Sequence, residues 1–297
     1  MTSKFIIAGL GEILWDVFPD GARFGGAPAN FACSAAGVGG DAVHAFMASA
    51  VGSDQPGEKA LQILKQKQVD VSCVAIESQQ TGQVLVTLDP HGKATYEFAA
   101  NTAWDNLNWT PELEQLASTV HAVCFGTLGQ RSEPSRRTIR KFVTSTSPDC
   151  LRILDINLRR PFWEENTLLE SIPLANVMKL NDEELPVVAS LLKLKGTDME
   201  LLQALQRQFS FRLIALTRGG NGSLLLAADG TISDLPGEPT TVIDTVGAGD
   251  AFTAAMAVGL LNGWPLSKLH QRAAQLAGFV CGQPGATPEI PEALQIG

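Results

Sequence analysis

The sequence predicts one α/β domain of 297 residues with a small β-sheet appended to it. Three observations predict this. Strand-like and helix-like stretches alternate over most of the chain in the rhythm of βαβ units. Between Val69 and Phe98 the alternation gives way to consecutive strands, which form a small projecting sheet of their own. Near the C-terminus, Asp244-Thr245-Val246-Gly247-Ala248-Gly249-Asp250-Ala251-Phe252 reads as a strand-turn-helix unit. It lies between the β-prone run Pro239 to Ile243 and the Pro-free, Ala-, Leu-, Met- and Val-rich run Ala251 to Leu261.

Composition narrows the class. Hydrophobic residues make up 45% and charged residues 18%, as in a soluble globular protein. The net charge of −9 argues against a surface for nucleic acid or anionic membrane, so neither is expected as a partner, and an anionic ligand has to be held by local donors. The five cysteines are odd in number, widely spaced and lack a C-x-x-C pair. That pattern predicts buried thiols in a reducing, cytoplasmic setting and no metal-thiolate site. Met1 to Lys4 leads directly into Phe5 to Leu10, which glycine ends too soon for a secretory or spanning segment, so it reads as the first strand.

In chain order, Ile13 to Phe24 follows the first strand and leads to Gly25-Gly26-Ala27-Pro28-Ala29-Asn30-Phe31-Ala32. A small-residue helix is predicted from Phe31 to Gly40, then a strand from Ala42 to Ala50, then a helix from the Gly52-Ser53-Asp54 turn to about Gln68. Val69 to Ile76, Gln83 to Leu88 and Ala94 to Phe98 read as strands, the last two joined through Asp89-Pro90-His91-Gly92-Lys93. A helix is expected over Leu107 to Ala117, a buried strand over Val120 to Phe125, and a helix from Ser132-Glu133-Pro134. The strand Arg152 to Asp155 empties into Asp155-Ile156-Asn157-Leu158-Arg159-Arg160-Pro161-Phe162-Trp163. Val177 to Leu180 ends in the acidic helix start Asn181-Asp182-Glu183-Glu184, and Thr217 to Ser223 is a glycine turn between the strands Arg212 to Leu216 and Leu224 to Ala227. A last helix runs from about Lys268 to Val280 into Gly282 to Pro288.

The chemistry centres on the turn before Asp250. Gly247 and Gly249 leave no side chain between backbone amides and a ligand, Ala248 lies between them, and the following helix adds its unpaired N–H groups, which together cradle phosphate. Asp250 at the helix start sits beside wherever that phosphate lies, placed to take a proton from an attacking hydroxyl. Alone, a Gly-x-Gly-Asp turn reads first as glycines breaking a loop and an aspartate capping a helix. Asp16 and Asn30 offer the acceptors and donors that adjacent hydroxyls require, and equally suit an edge strand and a helix cap. Arg159 falls beyond the carboxyl end of a strand, where open parallel sheets bind ligands, and its guanidinium suits phosphate oxygens. Asn181 and Glu184, spaced i and i+3, are read as sharing one face and holding the water shell of Mg²⁺.

The run from Asp244 to Phe252 closely resembles the C-terminal signature of the ribokinase-like (PfkB) carbohydrate kinases, and Gly25-Gly26-x-x-x-Asn30 resembles their N-terminal one. Asn181-x-x-Glu184 and Thr217-x-Gly219-x-x-Gly222-Ser223 match further family motifs in the expected order. The resemblance implies a three-layer α/β/α sandwich with a mostly parallel central sheet, a discontinuous β lid from about 12–33 and 83–106, and a surface on which relatives often dimerise. It implies an ATP-dependent sugar kinase with Asp250 as base and the turn Gly247, Ala248 and Gly249 around the transferred group. Asp16, Gly26, Asn30, Arg159 and, closing from the lid, Phe98 would bind sugar. Thr217, Gly219, Gly222, Gly247 and Gly249 would bind ATP, and Asn181 with Glu184 would serve Mg²⁺ through water. Backbone groups near Asp244 and Val246 bind a monovalent cation in several relatives; Glu289 stands where a small hydroxyl residue is frequent, which leaves K⁺ open. The Asp155 to Trp163 cluster and Gly11-Glu12 ahead of Asp16 look most like fructokinases, with 2-keto-3-deoxygluconate, ribose or another small sugar as alternatives and a non-catalytic sugar sensor as a third reading. A dinucleotide-binding dehydrogenase is excluded, because Gly9-Leu10-Gly11 lacks the third glycine and the helix that should follow.

Overall fold

A computed structural model of the chain describes residues 4–88, 94–159 and 162–295. The expected hairpin tip Asp89 to Lys93 and Arg160 lie outside the described residues. The chain opens with β1 (Phe5–Leu10), β2 (Leu14–Phe18), β3 (Gly21–Gly25), α1 (Ala27–Gly39), β4 (Val43–Gly52) and α2 (Gln55–Gln66). The short β5 (Val69–Asp70) and β6 (Val74–Glu77) precede β7 (Gly82–Leu88) and β8 (Ala94–Phe98). Then come α3 (Pro111–Thr119), β9 (Ala122–Phe125), α4 (Glu133–Thr144), β10 (Leu151–Asp155), α5 (Glu165–Ser171), β11 (Val177–Asn181), α6 (Glu184–Leu191) and α7 (Asp198–Phe209). The chain finishes with β12 (Leu213–Thr217), β13 (Ser223–Ala227), β14 (Ile232–Leu235), α8 (Ala248–Leu261) and α9 (Leu266–Cys281).

The main sheet has the order β14-β13-β12-β11-β10-β9-β1-β4-β5, with β6 also paired to β4. It is parallel from β5 to β12 and antiparallel where β13 and β14 extend it. Its strands are apolar on both faces because helices cover both. Ile7, Ala45, Cys124, Ile153 and Val177 point into one core with α1, α8 and α9; Ala8, Val123, Leu154, Met178 and Ile214 point into the other with α3, α4, α6 and α7. Successive residues thus serve opposite layers, as the pleat requires. That is the expected three-layer sandwich. Among the described residues no helix is long and apolar enough to cross a membrane.

The second sheet has the order β3-β2-β7-β8, with β2 and β7 parallel. The lid is therefore smaller than its expected bounds: residues 27–33 form the start of α1 in the main domain, because Ala29, Phe31, Ala32 and Cys33 are buried in its core. Pro239 to Ile243, expected to be a strand, is loop, and Val242 and Ile243 are 59% and 62% exposed and pair with no strand among the described residues. Beneath the lid, Arg131 donates to both carboxylate oxygens of Asp105 and stacks on Trp104 at 4.0 Å, fastening the Ala99–Leu107 stretch to the main domain.

Candidate active site

Three strand ends build the site. The carboxyl ends of β1, β9 and β10 lie side by side where the chain order reverses around β1, and the residues just beyond them, Glu12, Gly126–Thr127 and Asn157, line one small cavity. This is where an open parallel sheet places its ligand. The fourth wall is Asp250, in the first turn of α8, with Ala27 and Pro28 of α1 beside it.

α8 starts where it does because Gly247 takes a left-handed backbone, φ 83°. A Cβ there would lie 2.4 Å from the carbonyl oxygen of Ala286, so only glycine fits between the two loops. Asp244 holds the same junction, accepting from the amides of Val246 at 3.0 Å and Gly285 at 3.3 Å. With its oxygens so engaged, Asp244 is a staple between loops. In the first turn the Ala248 N–H reaches the Thr245 carbonyl oxygen only at 3.4 Å, and among the described residues the N–H groups of Gly249 and Asp250 have no backbone partner upstream, which makes the turn a donor surface for an anion.

Asp250 is half-buried in this turn, and Asn30 of α1 donates to its Oδ2 at 2.9 Å. Burial, then the charge of Asp155, raises the Asp250 pKa from 3.8 to about 6, against the opposing pull of Asn30, Lys179 and Arg159. A carboxylate in that range is ionised at neutral pH and accepts a proton more readily than an ordinary aspartate. Asn30 spends its amide nitrogen on Asp250, and its Oδ1, though buried, has no partner among the described residues.

Beneath the turn lies a buried polar network. Lys179 of β11 donates to Asp155 Oδ1 at 3.0 Å, Thr253 of α8 donates to Asp155 Oδ2 at 3.0 Å, and a Cβ on Gly249 would come within 2.9 Å of the Lys179 ammonium. Burial disfavours the Lys179 charge, but Asp155, Glu184 and Asp250 outweigh it and raise its pKa. The positive charge thus sits under the anion-binding turn. Sequence reasoning did not single out Lys179, Asp155 as its partner, or Thr253. The signal was there: a lysine inside the apolar strand Val177–Asn181 can be buried only if it is paired.

The predicted sugar ligands partly converge. Asp16 of β2 is half-buried on the lid; burial raises its pKa while Arg159 and Arg23 lower it. Arg159 is exposed, yet its charge reaches Asp250, Glu12 and Asp16 alike, which places it between the lid and α8. Gly26 precedes α1, packed on the carbonyl of Glu12. Phe98 packs edge-to-face on Phe162 at 5.1 Å and against Leu14, Val84, Trp104 and Leu128, so its ring belongs to the small core under the second sheet.

The predicted nucleotide residues lie further along the same sheet edge. Thr217 ends β12 beside Asn181 at the end of β11; Gly219 and Gly222 shape the turn to β13. A Cβ at Gly222 would fall 2.0 Å from the Leu235 carbonyl oxygen, so this glycine is required for packing in its own right. The expected shared helical face of Asn181 and Glu184 is not what brings them together. Asn181 is the last residue of a strand and its Oδ1 accepts from the amides of Glu183 and Glu184, while Glu184 accepts from the amides of Asn181 and Leu158, each at 2.9 Å. Two of the carboxylate's four acceptor positions remain, which fits a water-bridged Mg²⁺. Among the described residues no group of three or more His, Cys, Asp or Glu is arranged to ligate a metal directly.

Known proteins resemble this chain over most of its length. The profile described as pfkB family carbohydrate kinase matches residues 19–293. A fructokinase of Klebsiella pneumoniae is 32% identical over 272 residues, spanning 84% of this chain and 83% of that protein. A sugar kinase of Pyrococcus horikoshii is 32% identical over 316 residues, spanning 98% and 95%. Among solved structures, a fructokinase from Xylella fastidiosa with bound ATP superposes with a TM-score of 0.84 at 21% identity, covering 98% of this chain and 96% of that one. The Pyrococcus horikoshii kinase in complex with ATP gives 0.78 at 27% identity, covering 95% and 94%.

Proposed function

The chain belongs to the pfkB family of carbohydrate kinases, and from that premise we propose that it transfers the γ-phosphoryl group of ATP to the primary hydroxyl of fructose, giving fructose 6-phosphate. One observation carries the reading: Asp250 is a half-buried carboxylate with its pKa raised to about 6, oriented by Asn30 at the head of the α8 anion turn. The substrate hydroxyl lies against Asp250, which takes its proton as the oxygen attacks phosphorus; the amides of the Gly247–Gly249 turn receive the charge on the transferred group, with Lys179 beneath them. Mg²⁺, held through water by Glu184 and Asn181, would neutralise charge on the ATP phosphates. Asp16, Asn30, Gly26 and Arg159 bind the sugar, with Phe98 closing from the lid; Thr217, Gly219 and Gly222 line the nucleotide.

Fructose is favoured because relatives at 32% identity from Klebsiella pneumoniae and Salmonella typhimurium are fructokinases, and because Asp155 to Trp163 resembles the corresponding stretch of that group. The test is ADP formation with Mg²⁺ across fructose, ribose, glucose, 2-keto-3-deoxygluconate and nucleosides. Turnover specific for fructose supports the proposal. Turnover specific for another sugar keeps the base and discards the substrate, and sugar binding without turnover refutes the kinase chemistry. Running the panel in K⁺ and in Na⁺ tests a cation at the Asp244 junction, where activation by K⁺ is the outcome that would establish one.

A further inference from the structure

We propose that Glu12 is a positioning residue of the transfer reaction, holding one water molecule against Asp250 and receiving through it the proton that Asp250 takes from the sugar. This rests on Asp250 being the base. Glu12 is 2% exposed, directly after β1, and its carboxylate is steadied by its own amide and that of Ala27 at the start of α1. Its Oε2 is buried and has no hydrogen-bond partner among the described residues. Leaving such an acceptor unpaired is unfavourable, so a donor is expected there. The same carboxylate lines the cavity with Thr127, Asp155, Asn157 and Asp250; at about 10 Å³ the cavity has roughly the room one water needs, and its polar walls give that water several partners. Gly129 closes the far side, where a Cβ would stand 3.3 Å from Oε2.

The proton balance is simple. As the sugar oxygen bonds to phosphorus and the bond from phosphorus to the ADP oxygen breaks, the hydroxyl proton passes to Asp250. Asp250 gives a proton to the water, and the water gives one to Glu12, which releases it when products leave. The charged and titratable groups facing Glu12 are Asp250 on α8, Arg159 after β10, Asp155 with its partner Lys179, and Cys124 of β9. Burial, reinforced by Asp250 and opposed by Arg159, raises Glu12 from 4.5 to about 7. The relay accepts a proton only above that value.

The experiment is the pH profile of kcat/KM for the sugar, with ATP saturating, in the wild-type enzyme and in Glu12→Gln, alongside Asp250→Asn. The wild-type acid limb is expected near 7 and that of Glu12→Gln near 6, where Asp250 alone titrates. The variant's kcat should fall about tenfold while its sugar KM stays within about twofold. An unmoved limb overturns the proposal, as does a raised KM with kcat intact, which would make Glu12 a direct sugar ligand. If Asp250→Asn keeps its turnover, the base assignment itself fails; if that variant is inactive and the Glu12→Gln profile matches wild type, only the relay fails. Infrared spectroscopy of the wild-type protein supplies a check that needs no variant to be active. A protonated carboxylic acid band that disappears through about pH 7 is expected, and its absence refutes the assignment.

Discussion

Glu12 and Glu184 are both glutamates just beyond the carboxyl ends of main-sheet strands, both are buried, and burial raises the pKa of each. They differ in what meets the carboxylate. Glu184 accepts from two backbone amides and lies near Lys179, so its charge is absorbed in holding β11, α6 and the loop after β10 together. Glu12 keeps one oxygen without a partner among the described residues, beside Asp250 in the lining of a water-sized cavity. Asp105 belongs with Glu184, its charge met by Arg131 and by the amide and hydroxyl of Thr102. A buried carboxylate with each oxygen held by a scaffold donor stabilises the fold even where lone pairs remain for water, whereas one with an oxygen wholly unpartnered is poised for substrate or proton.

The contrast is testable by removing partners on each side. The largest effect should come from Arg131→Ala, which strands the buried Asp105 charge and should cost about 3–5 kcal/mol in denaturant unfolding. Asp250→Asn should act in the opposite direction. Because the folded Asp250 pKa is about 6 against an ordinary 3.8, the wild-type protein loses stability as pH rises between those values and bears the full penalty above them. The variant should therefore gain on the order of 3 kcal/mol over wild type at pH 8, and the gain should vanish at pH 3. Glu184→Ala leaves the amides of Asn181 and Leu158 without an acceptor and should cost about 2 kcal/mol, read as a lowered Tm. The smallest effect is expected from Arg159→Ala. Loss of a cation that lowers Asp250, Glu12 and Asp16 should move the acid limb of kcat/KM upward, with little change in Tm. A Tm that falls as far for Asp250→Asn as for Glu184→Ala would erase the distinction between the two kinds of carboxylate.

Much of this was legible in the sequence, for reasons that differ by region. The α8 turn could be read because glycine spacing and a helix start are local properties, and Gly247 does hold the left-handed backbone such a turn needs. The alternation of strand and helix likewise pointed to an α/β domain, and the resemblance to a known family supplied the three layers. The helix Asp198–Phe209 was not anticipated, although Thr197-x-x-Glu200 forms a capping box that announces it. Pro239 to Ile243 misled because β-prone residues pair only when a neighbouring strand is available, and that loop stands exposed. The Lys179–Asp155–Thr253 network and the cavity at Glu12 depend on residues brought together from β1, β10, β11 and α8, a proximity set by the strand order. Asn181 and Glu184 do meet, but through a strand end capping a helix and not through the shared helical face that their spacing suggested.

The central claim is that Asp250 acts as the base. Rapid-quench measurement of phosphosugar formed in a single turnover by Asp250→Asn, with fructose and ATP binding measured calorimetrically on the same protein, tests it most directly. The account predicts binding close to wild type and a rate of phosphoryl transfer lower by about 10²–10⁴-fold. Transfer at the wild-type rate with both ligands bound would contradict it.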